Sequence, residues 1–227
     1  MRTPSRFLLD QVSAIWRKIA PPIVVSTTID HTLFNVSLRD HLAWIYVGQR
    51  SSDHEKIPFP ENSVVWDLGC NIGLHSVSAA RKGNNVVAFD ISETNILCLA
   101  KTAKEAGLNI RAVWTPVAIR KRRFFPAKTG FVQEKIDWHL HGTHCSITYK
   151  EAADLYGMPK FIKIDIEGGE LEFLTCQAFK DWVFKHEIEI YLELHPEAAD
   201  YLWPEFKQVA GVNNDHWHLT HENSRTI

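Results

Sequence analysis

Asp67, Asp90, Asp165, Glu167 and His195 each stand at or just past the end of a short apolar run. Carboxylates and an imidazole in such places can do two kinds of work. They can accept hydrogen bonds from ligand hydroxyls or face a ligand cation, and they can take a proton from a reacting hydroxyl. A second concentration, His139-Leu140-His141-Gly142-Thr143-His144-Cys145, has the H-x-H-x-x-H spacing of metal ligands. Its expected role is contact with solvent or with an acceptor. No metal ligand set is assigned, and a metal site on His139, His141 and His144 stands as an alternative.

The first group needs a scaffold that brings strand ends together. Val64-Val65-Trp66-Asp67-Leu68 reads as a buried strand, and a helix follows from Leu74 to about Lys82. Val86 to Asp90 is a second strand. Ser92 is a reasonable N-cap for the next helix, which Gly107 closes. Ile110 to Trp114 is a third strand, 150–157 a short helix and Phe161 to Ile166 a fourth strand. A helix over 170–180, a strand over 187–194, a helix over 197–210 and a terminal strand around Trp217 to Thr220 complete the pattern. Near-continuous apolar strands alternating with helices predict an α/β fold: a Rossmann-like, doubly wound, mostly parallel sheet.

Upstream, apolar positions at helical spacing over 7–19 end at Pro21-Pro22, and short strands are expected at 23–25 and 32–36, with a helix at 38–48. These residues, 1–60, are read as an N-terminal helical and strand lid on a core of residues 61–227, the whole being one domain. Between 115 and 150 the rhythm breaks. Val117-Ala118-Ile119 and Arg123-Phe124-Phe125 are expected to pair across the turn Arg120-Lys121-Arg122-Arg123, itself read as solvated. A loop as long as 127–146 is more often functional than merely connective.

Composition sets the outer bounds. The chain has 227 residues, 45% of them hydrophobic, enough for a sizeable core. Its formal net charge is -2, so no global basic field points to nucleic acid, and no nucleic-acid partner is expected. No apolar run approaches the roughly 20 residues of a membrane span. The four cysteines lie far apart without a C-x-x-C, which suggests reduced thiols and a cytoplasmic protein. Oligomeric state is not readable.

The glycines choose between ligands. A dinucleotide fold wants G-x-G-x-x-G, with the pyrophosphate at a helix N-terminus. Here Asn71 takes the place of the second glycine and Leu74 that of the third, and Asp67 before them would face a pyrophosphate. S-adenosylmethionine has no phosphate, and its ammonium welcomes a carboxylate. Asp67 supplies that potential while Gly69, Asn71 and Gly73 bend beneath the ligand; asparagine enters left-handed conformations more readily than other non-glycine residues. Asp90, about 20 residues further on, suits the two ribose hydroxyls, a role shared with NAD sites.

These stretches (V-V-W-D-L-G-C-N-I-G-L-H-S, V-V-A-F-D, F-I-K-I-D-I-E-G-G-E-L-E-F-L and E-L-H-P) resemble the FkbM-type methyltransferases, of the class I Rossmann-like S-adenosylmethionine-dependent enzymes. The resemblance covers roughly residues 62–200. It implies a sheet order 3-2-1-4-5 with an antiparallel strand added, a usual final hairpin that the short C-terminus is expected to leave incomplete, and methyl transfer, often to a hydroxyl of a sugar or natural product. Family strands at this place commonly end Glu-Pro; here Asp90-Ile91 keeps the carboxylate and places Ile91 beside the cofactor. Acceptor specificity is expected in residues 1–60 and 121–146.

Methyl transfer to a hydroxyl needs alignment, exclusion of water and a proton acceptor. Strand alternation puts Lys163, Asp165 and Glu167 on one side, so Asp165 and Glu167 are expected to line the site, with His195 the histidine candidate for general base. Glu170 is read as a helix N-terminal charge. The expectation is therefore O-methylation of a small-molecule, sugar or natural-product hydroxyl. N- or C-methylation, a non-catalytic S-adenosylmethionine-binding module and a metal-dependent hydrolase on the loop histidines are the alternatives.

Overall fold

Parallel strands joined by helices bury both faces of their sheet. The computed structural model, which describes residues 16, 19–21, 23–29, 31–41, 57–125, 141–210 and 215–221, is built on this plan. β1 (Val24–Ile29) and β2 (Thr32–Ser37) form an antiparallel hairpin. β3 (Val64–Leu68), α1 (Leu74–Arg81), β4 (Asn85–Asp90), α2 (Glu93–Ala106) and β5 (Ile110–Trp114) follow in strict alternation. The short strands β6 (Val117–Ala118), β7 (Arg123–Phe124), β8 (His144–Cys145) and β9 (Ile147–Thr148) lead to α3 (Tyr149–Tyr156). β10 (Phe161–Ile164), α4 (Glu170–Leu174), α5 (Gln177–Lys185) and β11 (Glu189–Glu193) resume the alternation. A 3-10 helix (Pro196–Tyr201), β12 (Lys207–Gln208) and β13 (His216–Leu219) close it.

The main sheet runs β12-β13-β11-β10-β3-β4-β5. β5, β4, β3, β10 and β11 are mutually parallel, whereas β13 is antiparallel to β11 and to β12. The expected 3-2-1-4-5 order is present, and the fold is a Rossmann-like, doubly wound α/β sheet. Its winding reverses between β3 and β10. In open sheets of this kind the crevice at that switch point, beyond the strands' C-terminal ends, is where ligands sit.

Strand alternation sorts the two faces. Trp66, Leu68, Val87, Phe89, Ile162, Ile164, Ile190 and Leu192 meet Tyr149 and Ala152 of α3, Phe173 of α4 and Phe179, Trp182 and Val183 of α5. Aromatic rings dominate this side, with Trp66 stacked on Trp182 at 6.2 Å. On the other face Ala88 joins Leu74 and Val77 of α1, Ile96 and Leu99 of α2, and Ile29, Phe34 and Val36 of the hairpin. The same face carries two charged residues side by side, Asp67 and Lys163, paired across β3 and β10.

Several local expectations hold. Ser92 Oγ accepts from the Asn95 N–H and caps α2, and Gly107 ends it in the left-handed conformation at φ 64°. Others need correction. The helix expected over 170–180 is two, because the chain breaks at Thr175–Cys176 and restarts at Gln177. The expected helix over 197–210 is the short 3-10 helix followed by β12, so the final hairpin does form, although β12 is only two residues long. β6 and β7 do not pair with each other: β6 lies parallel to β9, and β7 antiparallel to β8. Residues brought back from beyond 140 supply the missing partners.

Lys121 pairs with Glu151 at 3.1 Å, and Arg122 with Glu172. All four cysteines are free thiols, Cys70 and Cys98 buried. Among the described residues no helix is long and apolar enough to cross a membrane. Residues 38–40 form a turn where the helix at 38–48 was expected to begin, and most of the expected helix at 7–19, residues 42–48 and His139 lie outside the described residues.

The hairpin is fastened to α2 by polar contacts. The Asn35 N–H donates to Thr102 Oγ1 at 2.8 Å, and Asn35 Nδ2 to Glu105 at 2.7 Å. Just beyond β2, the Ser37 N–H donates to His41 Nδ1 (2.9 Å), so Nε2 carries the proton and donates to Asn95 Oδ1 (2.8 Å). Burial lowers the His41 pKa from 6.5. A depressed histidine pKa means that the unfolded chain binds the proton first, so this group's contribution is present at neutral pH and is lost as pH falls below about 6.5. The stability advantage of the wild type over His41→Gln, read from urea midpoints, should shrink between pH 7.5 and 5.5; an advantage that grows contradicts the assignment.

Candidate active site

Between β3 and α1 the chain makes a loop with Gly69 at φ +78°, Asn71 at +51° and Gly73 at +89°. A Cβ on Gly69 would lie 1.8 Å from the Asp165 carbonyl oxygen, and one on Gly73 would lie 2.2 Å from Leu99 Cδ1. Both glycines are required by close approach as well as by backbone conformation. The loop's N–H groups turn inward. Those of Gly69 and Cys70 both donate to the Phe89 carbonyl (3.0 and 3.1 Å), and that of Gly73 to Cys70 O (2.8 Å). The Asn71 N–H donates to Asp90 Oδ2 at 2.8 Å. Phosphate cradles need outward-pointing N–H groups; in this loop those four are already engaged.

Asp90 ends β4 beside the loop. Its second oxygen, Oδ1, accepts from the Ser92 N–H at 2.8 Å. The Asn95 side chain also bonds this carboxylate, which keeps lone-pair capacity for a further donor. Burial raises its pKa to about 6, although the N–H groups of Ser92 and Asn71 pull the other way. Ile91 comes next, and its carbonyl accepts from Trp114 Nε1 at 3.0 Å. Trp114, opposite Asp90 in the sheet register, carries the ring of His144 at 4.5 Å. His144 thus belongs to an aromatic wall with Trp114 and Phe124, and its Nδ1 bonds Thr143 Oγ1. Among the described residues, the loop histidines 141 and 144 do not gather into a metal-ligating group.

Asp67 is placed differently from the sequence expectation. Its carboxylate is 1% exposed and lies below the loop. Ser76 Oγ donates to Oδ2 at 2.6 Å, and Lys163 Nζ stands 3.3 Å from Oδ1. Its charge is therefore answered from within the fold, where a ligand ammonium was expected. Lys163, 2% exposed, also reaches Asp165 Oδ2 at 3.4 Å and donates to the Gly69 carbonyl at 3.1 Å. Burial opposes its charge, but Asp67 and Asp165 hold its pKa above the usual lysine range.

Past β10 lies a second group of charged residues. Asp165 is half-buried against Gly69. Glu167 sits at φ 52°, a left-handed position unusual for glutamate. Its Oε2 is 3.3 Å from His195 Nε2, and Glu170 Oε1 is 3.3 Å from His195 Nδ1. Glu170 is wholly buried and accepts the Ile166 N–H at 2.8 Å. Pairing of its ring N–H groups with the acceptor carboxylates of Glu167 and Glu170 raises the His195 pKa to about 11, against the opposing effect of burial. An imidazole held as a cation keeps its proton at neutral pH, which is the opposite of a general base. Glu193, at the end of β11, is the residue the sequence reading passed over; burial and then Asp165 raise its pKa to about 8. Its place two residues before His195, on the same side of the strand end, was the available signal.

No family model matches the chain, and no curated protein matches it in sequence. Solved structures of methyltransferases are similar in fold at low identity. The Thermus thermophilus 16S rRNA N2 G1207 methyltransferase, solved with AdoMet and guanosine, is 13% identical with a TM-score of 0.47, over 88% of this chain and 52% of that one. The Pyrococcus abyssi tRNA (uracil-54, C5)-methyltransferase, solved with S-adenosyl-L-homocysteine, is 10% identical with a TM-score of 0.46, over 86% and 43%. The C-terminal domain of the Rhodobacter capsulatus precorrin-6Y C5,15-methyltransferase is 14% identical with a TM-score of 0.42, over 81% and 95%. The chain thus spans about half the length of the first two.

Removing Lys163 leaves Asp67 and Asp165 without their shared cation. Lys163→Met is expected to cost about 3–5 kcal/mol in urea unfolding, as when one partner of a buried ion pair is deleted. In a double-mutant cycle with Asp67→Asn, coupling below about 0.5 kcal/mol would sink the ion-pair account.

Proposed function

We propose that this chain is an S-adenosylmethionine-dependent methyltransferase that methylates a hydroxyl of a small molecule, sugar or natural product. One observation carries the cofactor half: the glycine loop turns its N–H groups inward and sets the Asp90 carboxylate at its edge. That arrangement repels a pyrophosphate and suits a phosphate-free nucleoside whose two ribose hydroxyls donate to Asp90. Gly69, Asn71 and Gly73 form the floor, and Ile91 lies at the base end with Trp114 behind it. Asp67 acts indirectly, by fixing Lys163 beneath the floor. The FkbM-type motifs agree with this reading.

On the acceptor side the protein must align a hydroxyl with the sulfonium methyl and keep water out. Oxygen attacks the methyl carbon, the carbon–sulfur bond breaks, and S-adenosylhomocysteine leaves. The hydroxyl proton passes to a carboxylate at the strand edge, where Asp165 and Glu193 stand together. His195 holds Glu167 and Glu170 in place. Residues 1–60 act as the lid, and with 121–146 they select the acceptor.

Calorimetry with S-adenosylmethionine, S-adenosylhomocysteine and NAD tests the cofactor; binding of NAD alone defeats the proposal. Asp90→Asn should weaken binding of both sulfur ligands at least tenfold, since an amide presents one acceptor oxygen where the carboxylate presents two. Because protonation removes the carboxylate, wild-type affinity should fall as pH drops through about 6, and the variant should lack that fall. Transfer of a labelled methyl group to pooled sugars, lipids and natural products identifies the acceptor.

A further inference from the structure

We propose that Asp165, Glu170 and His195 bind a divalent metal ion at the acceptor side of the site, with Glu167 orienting the histidine from behind. One donor atom of each of the three lies within 4.8 Å of the others. They come from three separate places in the fold: the end of β10, the first residue of α4 and the segment after β11. Ligands about 2.1 Å from a common ion stand roughly 3–4 Å apart, and His195 Nδ1 is 3.3 Å from Glu170 Oε1.

A second observation is independent of that proximity. Glu170 is fully buried, yet among the described residues only Oε1 has a hydrogen-bond donor, from Ile166, and Oε2 has none. A buried carboxylate oxygen without a donor is costly, and a cation is the usual remedy. Asp165 places its Oδ2 3.4 Å from Lys163 Nζ. Charge points the same way. Asp165, Glu167, Glu170 and Glu193 crowd one edge, while Lys163 is already shared with Asp67.

The outer ligand shell is also in place. The ion takes the place of the His195 Nδ1 proton, which binding releases, and metal-bound histidines commonly donate their other ring N–H to a carboxylate, which fixes the tautomer. Glu167 Oε2 stands 3.3 Å from His195 Nε2, and the left-handed backbone of Glu167 aims it there. One imidazole and two carboxylates suit a borderline or hard first-row ion, Mn2+ above the softer choices. Three protein ligands leave positions open. Resting on the methyltransferase reading, those positions take two neighbouring oxygens of the acceptor, such as a vicinal diol. The ion then acidifies the hydroxyl and Glu193 receives its proton.

The test uses the full chain, treated with EDTA and dialysed, then titrated with Mn2+ and followed by loss of the free-ion EPR signal. One equivalent is expected to bind. His195→Ala and Glu170→Gln should each weaken binding more than tenfold, and Glu167→Gln by about tenfold, as for other outer-shell carboxylates. Circular dichroism confirms that each variant is folded. Should Glu170→Gln not fold, Asp165→Asn takes its place. No binding of Mn2+, Zn2+ or Mg2+ at millimolar concentration overturns the site, as does binding unchanged by folded variants; His195 is then an imidazolium closed between two carboxylates. S-adenosylmethionine calorimetry on the same metal-free and metal-loaded samples reads the cofactor separately, so the two proposals fail by different results.

Discussion

The site depends on one buried cation. Lys163 lies on the face of the sheet that carries α1 and α2, flanked by Asp67 on β3 and Asp165 beyond β10, and it donates to the carbonyl of Gly69. Burying such a group is expensive, and hydrophobic replacements are often as stable. Its value is in placement. A lysine bonded in three directions fixes how far the ends of β3 and β10 stand apart, and it pins the loop from below. Remove the charge and nothing apolar on that face would hold Asp67 inward or keep Asp165 beside the glycines.

The two sides of the candidate site are consequently one body. Gly69 has no room for a side chain because the Asp165 main chain runs against it. Asn71 takes its register from Asp90, and Asp90 is braced by Ser92 at the head of α2. Any movement of the end of β10 is felt at the glycine loop. That suits the proposed methyl displacement, in which the reacting atoms must stay aligned.

What could be read from the sequence was local. Asn71 in a left-handed turn, Ser92 and Gly107 as caps, and the five parallel strands all follow from residue type and short-range pattern, and each is present. What could not be read depended on distant partners. Asp67 looks like a ligand-facing carboxylate until Lys163, 96 positions later in the chain, is set beside it by the strand register. His195 looks like a base until Glu167 and Glu170 close on its two nitrogens. Glu193 looks like one more alternating strand residue until Asp165 comes alongside. The β6–β9 and β7–β8 pairs escaped for the same reason, since each joins segments on opposite sides of a long excursion.

The hairpin's attachment bears on how such a protein could be remodelled. His41 bonds Asn95, Asn95 is capped by Ser92, and Ser92 supports Asp90. The N-terminal part is therefore not an interchangeable cover. Grafting a different one to recruit a new acceptor would disturb Asp90, the carboxylate proposed to face the ribose, unless the graft carried its own equivalent of His41. Selectivity and cofactor affinity would then have to be altered together.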